Sequence, residues 1–582
     1  MGFPDGMNAD IPVRPARACA FSLEVAVPNP NPSARLSPFA PLRHGIFRAV
    51  WLAVLVSNLG GLIQSVGAAW LMTSLTGSIS LVALVQASTT LPIMLFSLAA
   101  GAIADGYDKR AVMLVAQAFT TIVSILLAAC TWFGLITPWA LLVFTFLIGC
   151  GTALNNPAWQ SSVRDMVPRP DLPQAIGLNS VGMNLARSVG PAFGGMIVAT
   201  VGAAAAFAVN AFSYLPLMVV LFRWRPEVQE RLLPRETLGA AMGAGIRFAA
   251  MSPRIRSILV RGFVFAFAAG AVQALMPLVA RDLVGGGPVT FGLLFGAFGI
   301  GAIGGGLFSS RIRQALGLEG MVRAAFAGFA VCALLTAISA STPLTIVAMA
   351  MGGASWLLVL SSFNVAIQTS SPRWVVGRIL ALYQTAAYGG IALGSWIWGS
   401  LAERFGIGQA LALSALVLVL AVLAGLRWAA PKDEEANWEP LNRWKEPSIA
   451  MDIQHRSGPI VVTIEYRIHE KDVPKFLSLM AERRRIRRRD GARHWHLLRD
   501  LAEPELWTER YDTPTWLDYV RQAQRITQAD ASILDQLKAL HRGFEPPRIS
   551  RRIERQPVAA SLEAGDAHEA DYYPTDPPQT PS

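Results

Sequence analysis

Long, almost uncharged apolar runs alternate with short polar turns through most of this 582-residue chain. A helix that crosses the hydrocarbon core of a membrane needs about 20 mostly apolar residues. The runs reach that length, so the pattern predicts twelve membrane-spanning helices. These spans are predicted at 47–73, 79–104, 110–133, 138–163, 174–200, 204–223, 256–281, 289–310, 320–341, 343–369, 375–402 and 406–428. The fifth and eleventh are rich in Gly, Ser and Asn, as expected where helices pack closely in lipid.

Lysine and arginine are distributed unequally between the turns on the two sides of these spans. Turns after even-numbered spans carry most of them, including Lys109, Arg110, Arg164, Arg311 and Arg373. Turns after odd-numbered spans carry almost none. Because positive charge favours the cytoplasmic side, the even turns and both chain termini are predicted to be cytoplasmic. One missed span would destroy this alternation, which therefore also supports the number twelve.

Composition agrees with a membrane protein. The chain is 53% hydrophobic and 15% charged, with a mean hydropathy of +0.41, whereas soluble domains carry roughly 25% charged residues. The net charge of +11 lies beside the apolar runs, which favours contact with the lipid bilayer and argues against nucleic acid as a partner. The four cysteines have no disulfide or metal-ligand spacing, and no metal or cofactor is predicted.

A basic segment at 224–255 divides the spans six and six. NPAWQSS (156–162) ends span 4 and NVAIQTS (364–370) ends span 10, so Asn, Ala and Gln recur at the same spacing. A Pro-Arg pair follows each of the two segments. Parallel six-span repeats are the build of one large transporter class.

Several stretches carry a resemblance to a known family. The turn GAIADGYDKR (101–110) resembles the signature turn between helices 2 and 3 of the major facilitator superfamily. SNLGGLIQSVGAAWLMTSLTGS, NNPAWQSSVRDMVPRPDLPQAIGLNS and NLARSVGPAFGG resemble the subgroup of the enterobactin exporter and the transmembrane secretion effectors. The resemblance covers about residues 43–430. It implies an all-α membrane protein with halves at 43–224 and 256–430, joined by a cytoplasmic loop at 225–255.

The resemblance also gives the signature turn a role in gating. Gly101, Asp105, Lys109 and Arg110 match the family pattern. Gly101 would let helix 2 approach a neighbour, and Asp105 would meet the N-terminus of a helix of the other half, whose dipole favours an anion. The chain departs from the pattern at Gly106, where many relatives have Arg.

Arg187 is the one charge predicted well inside a span, and such charges usually mark function. It is interpreted either as a ligand for an anionic substrate or a gating contact, or as a structural arginine bonded to backbone carbonyls. The following residues resemble the Gly-Pro signature of helix 5 in exporters. A hinge or packing seam is therefore predicted at Gly190, Pro191, Gly194 and Gly195.

Polar side chains inside the spans supply further candidates for substrate contact, with bonding between helices as the alternative. Besides Arg187, the transport candidates are Asn58, Gln64, Asn156, Gln160, Asn184, Asn364, Gln368, Tyr383 and Gln384. No Asp or Glu lies in the middle of a predicted span. The family implies proton-coupled secondary transport, yet the sequence shows no residue to carry the proton.

After a linker at 431–457, residues 458–545 have the composition of a soluble domain. The predicted order β-α-β-β-α suggests a ferredoxin-like α+β fold and resembles the antibiotic-biosynthesis-monooxygenase-like domains. His494, Trp495 and His496 could belong to an active site, but no cofactor motif accompanies them. Such domains pair, so a homodimer is predicted, with the strand VVTIEYRI as the exposed edge. Residues 1–42 and 546–582 are predicted to be disordered.

The sequence thus favours a multi-pass transporter of the bacterial inner membrane. It would export a small organic molecule, such as a siderophore, drug or metabolite, by alternating access, and would not be an enzyme. The alternative is a membrane-anchored enzyme or ligand-binding regulator that acts through the C-terminal domain, and import is a second alternative.

Overall fold

A computed structural model describes residues 39–225, 238–372 and 374–427, and, of the C-terminal part, residues 439, 441, 447, 449–451 and 453–554. Its first part is helical. The helices are α1 (Gly45–Leu75), α2 (Ile79–Gly106), α3 (Lys109–Trp132), α4 (Pro138–Ser162), α5 (Leu172–Thr200), α6 (Ala203–Ser213), α7 (Leu215–Arg223), α8 (Leu238–Met251), α9 (Pro253–Leu278), α10 (Pro288–Ile338), α11 (Thr342–Thr369), α12 (Val376–Phe405) and α13 (Ile407–Arg427).

Every predicted span coincides with helix in this structure. Among the described residues, nine helical segments are long and apolar enough to cross a membrane. One of them, α10, contains two predicted spans, divided at Gly317, where φ is 68°. The predicted fifth and eleventh spans form α5 and α12. These two helices are long enough to cross a membrane but contain so many polar and small residues that they are not among the nine. The predicted all-α fold class is confirmed, and span 6 consists of α6 and α7.

Short turns between the helices are stabilised by local caps. The Ser78 hydroxyl accepts from the Leu81 N–H at 3.4 Å, and Asp108 accepts from the Arg110 N–H at 3.0 Å. Each cap satisfies a backbone donor that has no partner within its own helix. Gly202 and Gly406 have φ of 99° and 97° between consecutive helices, a conformation that glycine adopts without steric cost.

Equivalent arginines fix matching helix ends in the two halves. Arg110, at the start of α3, donates to the carbonyls of Leu221 and Phe222 at the end of α7, at 2.8 and 2.7 Å. In the second half Arg323 donates to the carbonyl of Gly425 near the end of α13, at 2.9 Å. Both contacts join the third and last spans of their half, as the six-plus-six division predicts. They lie on the face where α1 begins and α13 ends, named here the terminal face.

The segment between the halves is more ordered than a connecting loop. The predicted loop at 225–255 contains α8, which packs against α2, α9 and α12. Residues 226–237 of this loop lie outside the described residues. The Cβ that an alanine would place at Gly245 would lie 2.9 Å from the Arg378 Cβ of α12, so α8 packs directly on the second half.

The C-terminal domain is a four-stranded antiparallel sheet with helices. Its elements are β1 (Ile460–Arg467), α14 (Val473–Asp490), β2 (Arg493–Arg499), β3 (Leu506–Thr513), α15 (Trp516–Gln524), α16 (Gln528–Leu540) and β4 (Arg548–Ile553). The strand order is β2-β3-β1-β4. Ile460, Val462, Ile464 and Tyr466 are the buried face of β1 and pack with Phe476 and Met480 of α14.

Three details of this domain correct the sequence predictions. The domain does not end at residue 545, because β4 lies in the segment predicted to be disordered. The second helix of the predicted order β-α-β-β-α is divided into α15 and α16. The predicted edge strand VVTIEYRI is β1, which lies between β3 and β4. The edge strands are β2 and β4 instead, since β4 supplies the partner that the sequence interpretation lacked.

A buried ion-pair network fills the space between α14 and the sheet. The Glu509 carboxylate on β3 is completely buried and accepts from Arg483 at 3.4 Å, Arg487 at 3.2 Å and the Trp495 indole at 3.1 Å. Burial alone would raise the pKa of Glu509, but the two arginine charges overcome this effect and lower the pKa to about 2. The arginine-rich stretch of α14 is therefore partly internal.

Glu509→Gln should destabilise this domain by about 3–5 kcal/mol, because it leaves two buried arginines without their anion. In the wild type the stabilisation by Glu509 should be lost as pH falls from about 4.5, its ordinary pKa, toward 2. Thermal unfolding of the full-length protein in detergent measures both effects. The control is Glu482→Gln, which removes an exposed pair with Arg485 and should change stability by less than about 1 kcal/mol. Equal effects of the two substitutions would contradict this account.

Candidate transport site

The two halves meet closely along α5 and α10. A Cβ added at Gly292 would lie 2.5 Å from the Pro191 carbonyl oxygen, and one at Gly299 would lie 2.5 Å from the Arg187 carbonyl oxygen. A Cβ at Gly195 would overlap the Pro288 carbonyl. The backbones therefore touch where only glycine fits. The predicted seam residues divide between two partners, because Gly190 and Gly194 face Leu62 and Ile63 of α1.

Toward the terminal face α5 loses this contact. Every fourth residue of a helix lies on nearly the same side, and Met183, Arg187, Pro191 and Gly195 form such a row. Pro191 and Gly195 are packed on α10, Arg187 is half-buried, and the Met183 side chain is 38% exposed. The neighbouring row changes in the same way, from Ser188 packed on Gly299 through half-buried Asn184 to exposed Ser180 and Ile176.

The facing row of α10 also becomes exposed in this direction. Gly299 touches the backbone of α5, Ile303 is half-buried, and Leu307 is 73% exposed. Exposure thus increases along both helices from Arg187 toward the terminal face, which indicates that the helices separate there. We call the space between them the α5–α10 cleft, lined by Ile176, Ser180, Met183, Asn184, Arg187, Ile303 and Leu307. An apolar cleft with a few polar groups at one end is typical of small-molecule sites.

On the opposite face, polar contacts join the two halves. Arg281, after α9, donates to the Thr73 carbonyl of α1 at 2.7 Å. The Ser78 hydroxyl at the start of α2 donates to Glu403 of α12 at 2.8 Å. A third bond, between Ser97 of α2 and Thr385 of α12 at 2.8 Å, joins the halves in the part of these helices that lies nearer the terminal face. The contacts of Arg281 and Ser78, together with the glycine seam, close the opposite face, while the α5–α10 cleft remains open to the terminal face.

Only part of the predicted polar set lies near this cleft. Arg187 and Asn184 lie together at its closed end. Gln64 is 5% exposed and bonds to Asn210 of α6, next to Ser124 of α3, so it joins helices of the first half. Tyr383 is buried with its ring 6.0 Å from that of Phe363.

The remaining candidates are distributed over four other helices. The Asn364 side chain donates to the Leu360 carbonyl of its own helix at 2.8 Å. Asn58, Asn156 and Gln384 are half-buried, and Gln160 and Gln368 are exposed. The last two occupy matching positions in α4 and α11, as the sequence repeat predicts. Ile176, Ser180, Met183 and Leu307 were missed, because exposed apolar and hydroxyl residues in a span are normally interpreted as lipid-facing.

The signature turn stabilises the terminal face of the first half. Lys109 donates to Asp165 at 2.8 Å and to the Ser161 carbonyl at 3.1 Å, which joins α3 to the end of α4. Arg110 holds the end of α7, as described above. A Cβ at Gly101 would meet no atom of the described residues within 4 Å, so the close approach of helix 2 at Gly101 stays a prediction. Asp105 lies within α2, and its side chain falls outside the described residues.

The C-terminal domain docks on the terminal face through arginines and aromatic rings. The Arg525 guanidinium lies 4.2 Å from the ring centre of Trp374, in the turn between α11 and α12. The Arg489 guanidinium lies 5.7 Å from the ring centre of Phe248 on α8. The ring centres of Phe248 and Trp374 are 6.0 Å apart. Such cation–π contacts are worth about 0.5–2 kcal/mol each. The domain is therefore seated on α8 and on the turn that precedes α12.

The three residues that were considered for an active site do not form a cluster. Trp495 points into the domain toward Glu509, whereas His494 and His496 are exposed on β2. His494 has a φ of 43° at the bulge of β2 and contacts Asp512 at 3.0 Å. The three side chains therefore do not converge on a common point.

Comparison with known proteins shows the family of this chain. A family model described as transmembrane secretion effector matches residues 36–557. The chain belongs to the transmembrane secretion effector family. The match includes both six-helix halves and the C-terminal domain through β4.

Characterised relatives of this family member are transporters. The staphyloferrin A transporter of Staphylococcus aureus is 24% identical, over 60% of this chain and 87% of its own. The multidrug efflux pump Tap of Mycolicibacterium fortuitum is 25% identical, over 66% and 95%. The enterobactin exporter EntS of Shigella boydii is 26% identical, over 67% and 95%. These similarities confirm the predicted family and the predicted class of transporter.

Solved structures confirm the fold of this transmembrane secretion effector. A bacterial homologue of the lysosomal transporter Spinster, inward-facing and unoccupied, aligns with a TM-score of 0.53 and 15% identity, over 66% of this chain and 96% of its own. A variant of the nucleoside transporter NupG aligns with a TM-score of 0.55 and 12% identity, over 66% and 99%. At these identities the alignments establish a shared fold.

Gly195→Ala should weaken closure of the opposite face, because the added methyl group would overlap the Pro288 carbonyl. A cysteine introduced at Val289 should then react several-fold faster with a membrane-impermeant thiol reagent applied to that face. Gly177→Ala is the matched control, since a Cβ at Gly177 meets no atom within 4 Å. Unchanged reactivity in Gly195→Ala would show that the seam does not depend on this contact.

Proposed function

We propose that this protein is a secondary active exporter that carries a small organic molecule through the α5–α10 cleft by alternating access. The observation that carries the proposal is the asymmetry of this cleft, closed by backbone contact at one end and open at the other. A rigid-body movement of the halves would open the end of the cleft that is now closed and close the end that is now open. The relatives named for enterobactin, staphyloferrin A and drug efflux support a siderophore or a drug as the class of cargo.

The terminal face is proposed to be cytoplasmic, with both chain termini inside the cell and the protein in the bacterial inner membrane. The lysines and arginines of the even-numbered turns support this orientation. In that orientation the described conformation faces inward and would receive cargo from the cytoplasm. Lys109, Arg110 and the predicted contact of Asp105 would then stabilise the cytoplasmic ends when this face closes.

The C-terminal domain is proposed to act as a docked accessory domain and not as an enzyme. Its interior is filled by the Glu509 network, and its histidines do not converge. The predicted homodimer remains a proposal, supported by the two edge strands β2 and β4 and by the sheet surface opposite α14. The mass of the purified protein in detergent would test it, with a monomer as the contradicting result.

The proposed export can be tested in a bacterium that lacks its own enterobactin exporter. Expression of this chain should raise the enterobactin released into the medium or the resistance to a panel of drugs. Asp105→Asn should reduce that gain several-fold at equal protein amount in the membrane, because it removes the predicted gating anion. Arg313→Gln, on the exposed surface of α10, is the control. Full activity of Asp105→Asn would remove the gating role, and no gain with any cargo would argue against export of these classes.

A further inference from the structure

Arg187 lies at mid-membrane depth. Fifteen residues of α5 precede it and thirteen follow it, so at 1.5 Å per residue it is about 20 Å from either end of the helix. Its carbonyl contacts Gly299, at the point where α5 and α10 separate. Arg187 therefore stands at the closed end of the α5–α10 cleft.

No protein group neutralises this charge in the described part of the chain. Arg187 makes neither a hydrogen bond nor an ion pair with a described side chain or carbonyl, and it is half-buried. A cation at this depth normally pairs with an acid or with backbone carbonyls. The structural interpretation of Arg187, bonding to neighbouring carbonyls, has no such bond to support it among these residues.

Acidic residues of the transporter part are all remote from mid-span. The complete sequence places them in turns, in the central loop or at helix ends: Asp105, Asp108, Asp165, Asp171, Glu227, Glu230, Glu236, Asp282, Glu319 and Glu403. Glu319 is already paired with Arg261 at 2.8 Å and Arg323 at 3.1 Å, and Glu403 accepts from Ser78. The countercharge for Arg187 must therefore come from outside the helices.

We propose that Arg187 binds an anionic group, such as a carboxylate or an ionised catechol, on the transported molecule. A guanidinium presents paired donors that match a planar anion. Asn184 and Ser180 lie one and two turns nearer the terminal face and add hydrogen-bonding groups. The apolar side chains of Ile176, Met183 and Leu307 would contact an organic body. The substrate class is thus an amphiphilic organic anion, an inference that rests on the proposed export function.

An anionic cargo also accounts for the missing proton carrier. The cell interior is negative, so the membrane potential favours the outward movement of an anion. No mid-span carboxylate needs to take up and release a proton in such a cycle. The membrane potential can therefore drive export of an anionic cargo, if the empty carrier returns with the uncompensated positive charge of Arg187.

The test compares metabolites in the medium of the native host with the gene deleted and then restored. Restored strains carry the wild type, Arg187→Gln, Arg187→Lys or the control Arg313→Gln. A molecule should reappear in the medium with the wild type and the control, and fall at least tenfold with Arg187→Gln. That molecule should be anionic at neutral pH. Arg187→Lys, which keeps the charge but loses the planar fork, should fall between them, and size-exclusion profiles should show equally folded protein.

Three results would overturn the inference: a neutral or cationic cargo, wild-type export by Arg187→Gln, or equal export by Arg187→Lys and Arg187→Gln. If deletion changes no molecule in the medium, the proposed export function itself fails. The driving force is then measured in proteoliposomes loaded with the identified molecule. Valinomycin with more potassium inside than outside, which makes the interior negative, should speed export relative to valinomycin with equal potassium, whereas an imposed pH gradient alone should not. The reverse pattern would overturn the role of the potential.

Discussion

Contact between two backbones at the α5–α10 seam determines what the rest of this molecule can do. Burying apolar side chains between helices gains little in lipid, because the surroundings are equally apolar. Association must come from close van der Waals packing, which requires residues without side chains at the crossing. Gly195, Gly292 and Gly299 meet this requirement. They hold the halves together on one face without fixing them on the other.

The charge at Arg187 follows from the same arrangement. The seam ends at its carbonyl, and the cleft begins at its side chain. A cation at this point leaves an unpaired positive charge in the empty site, and this charge attracts an anion. The site therefore combines a contact that must open and close with a charge that must be neutralised by the cargo. Both conditions are met by two helices that belong to different halves, as alternating access requires.

The C-terminal domain adds a connection that the transporter fold does not need. Arg525 and Arg489 contact Trp374 and Phe248, which belong to the turn before α12 and to the segment between the halves. The domain thus rests on parts of the chain that must move when the terminal face closes. Its interior is stabilised by the apolar core between β1 and α14 and by Glu509 with two buried arginines.

The helices were predictable from sequence because each span is a long apolar run bounded by polar turns, and even α5 kept its length and its signature. The site was less predictable. Arg187 was identified as a charge inside a span, but an amide such as Gln64 can line a cavity or join helices, and only the packing against Asn210 decides this. The strand β4 was missed because its apolar residues, Ile549 and Ile553, are separated by three polar ones. The docking arginines were missed since their partners lie more than 100 residues away.

In alternating access, one end of the contact between α5 and α10 must open when the other end closes. Distances between spin labels measure this directly, with one pair at Ile176 and Leu307 near the terminal face and a second at Thr200 and Val289 near the opposite face. The account predicts two distance populations for each pair, and any condition that shortens the first distance should lengthen the second. A single fixed distance at both ends, or changes of the same sign at both, would contradict alternating access through this cleft.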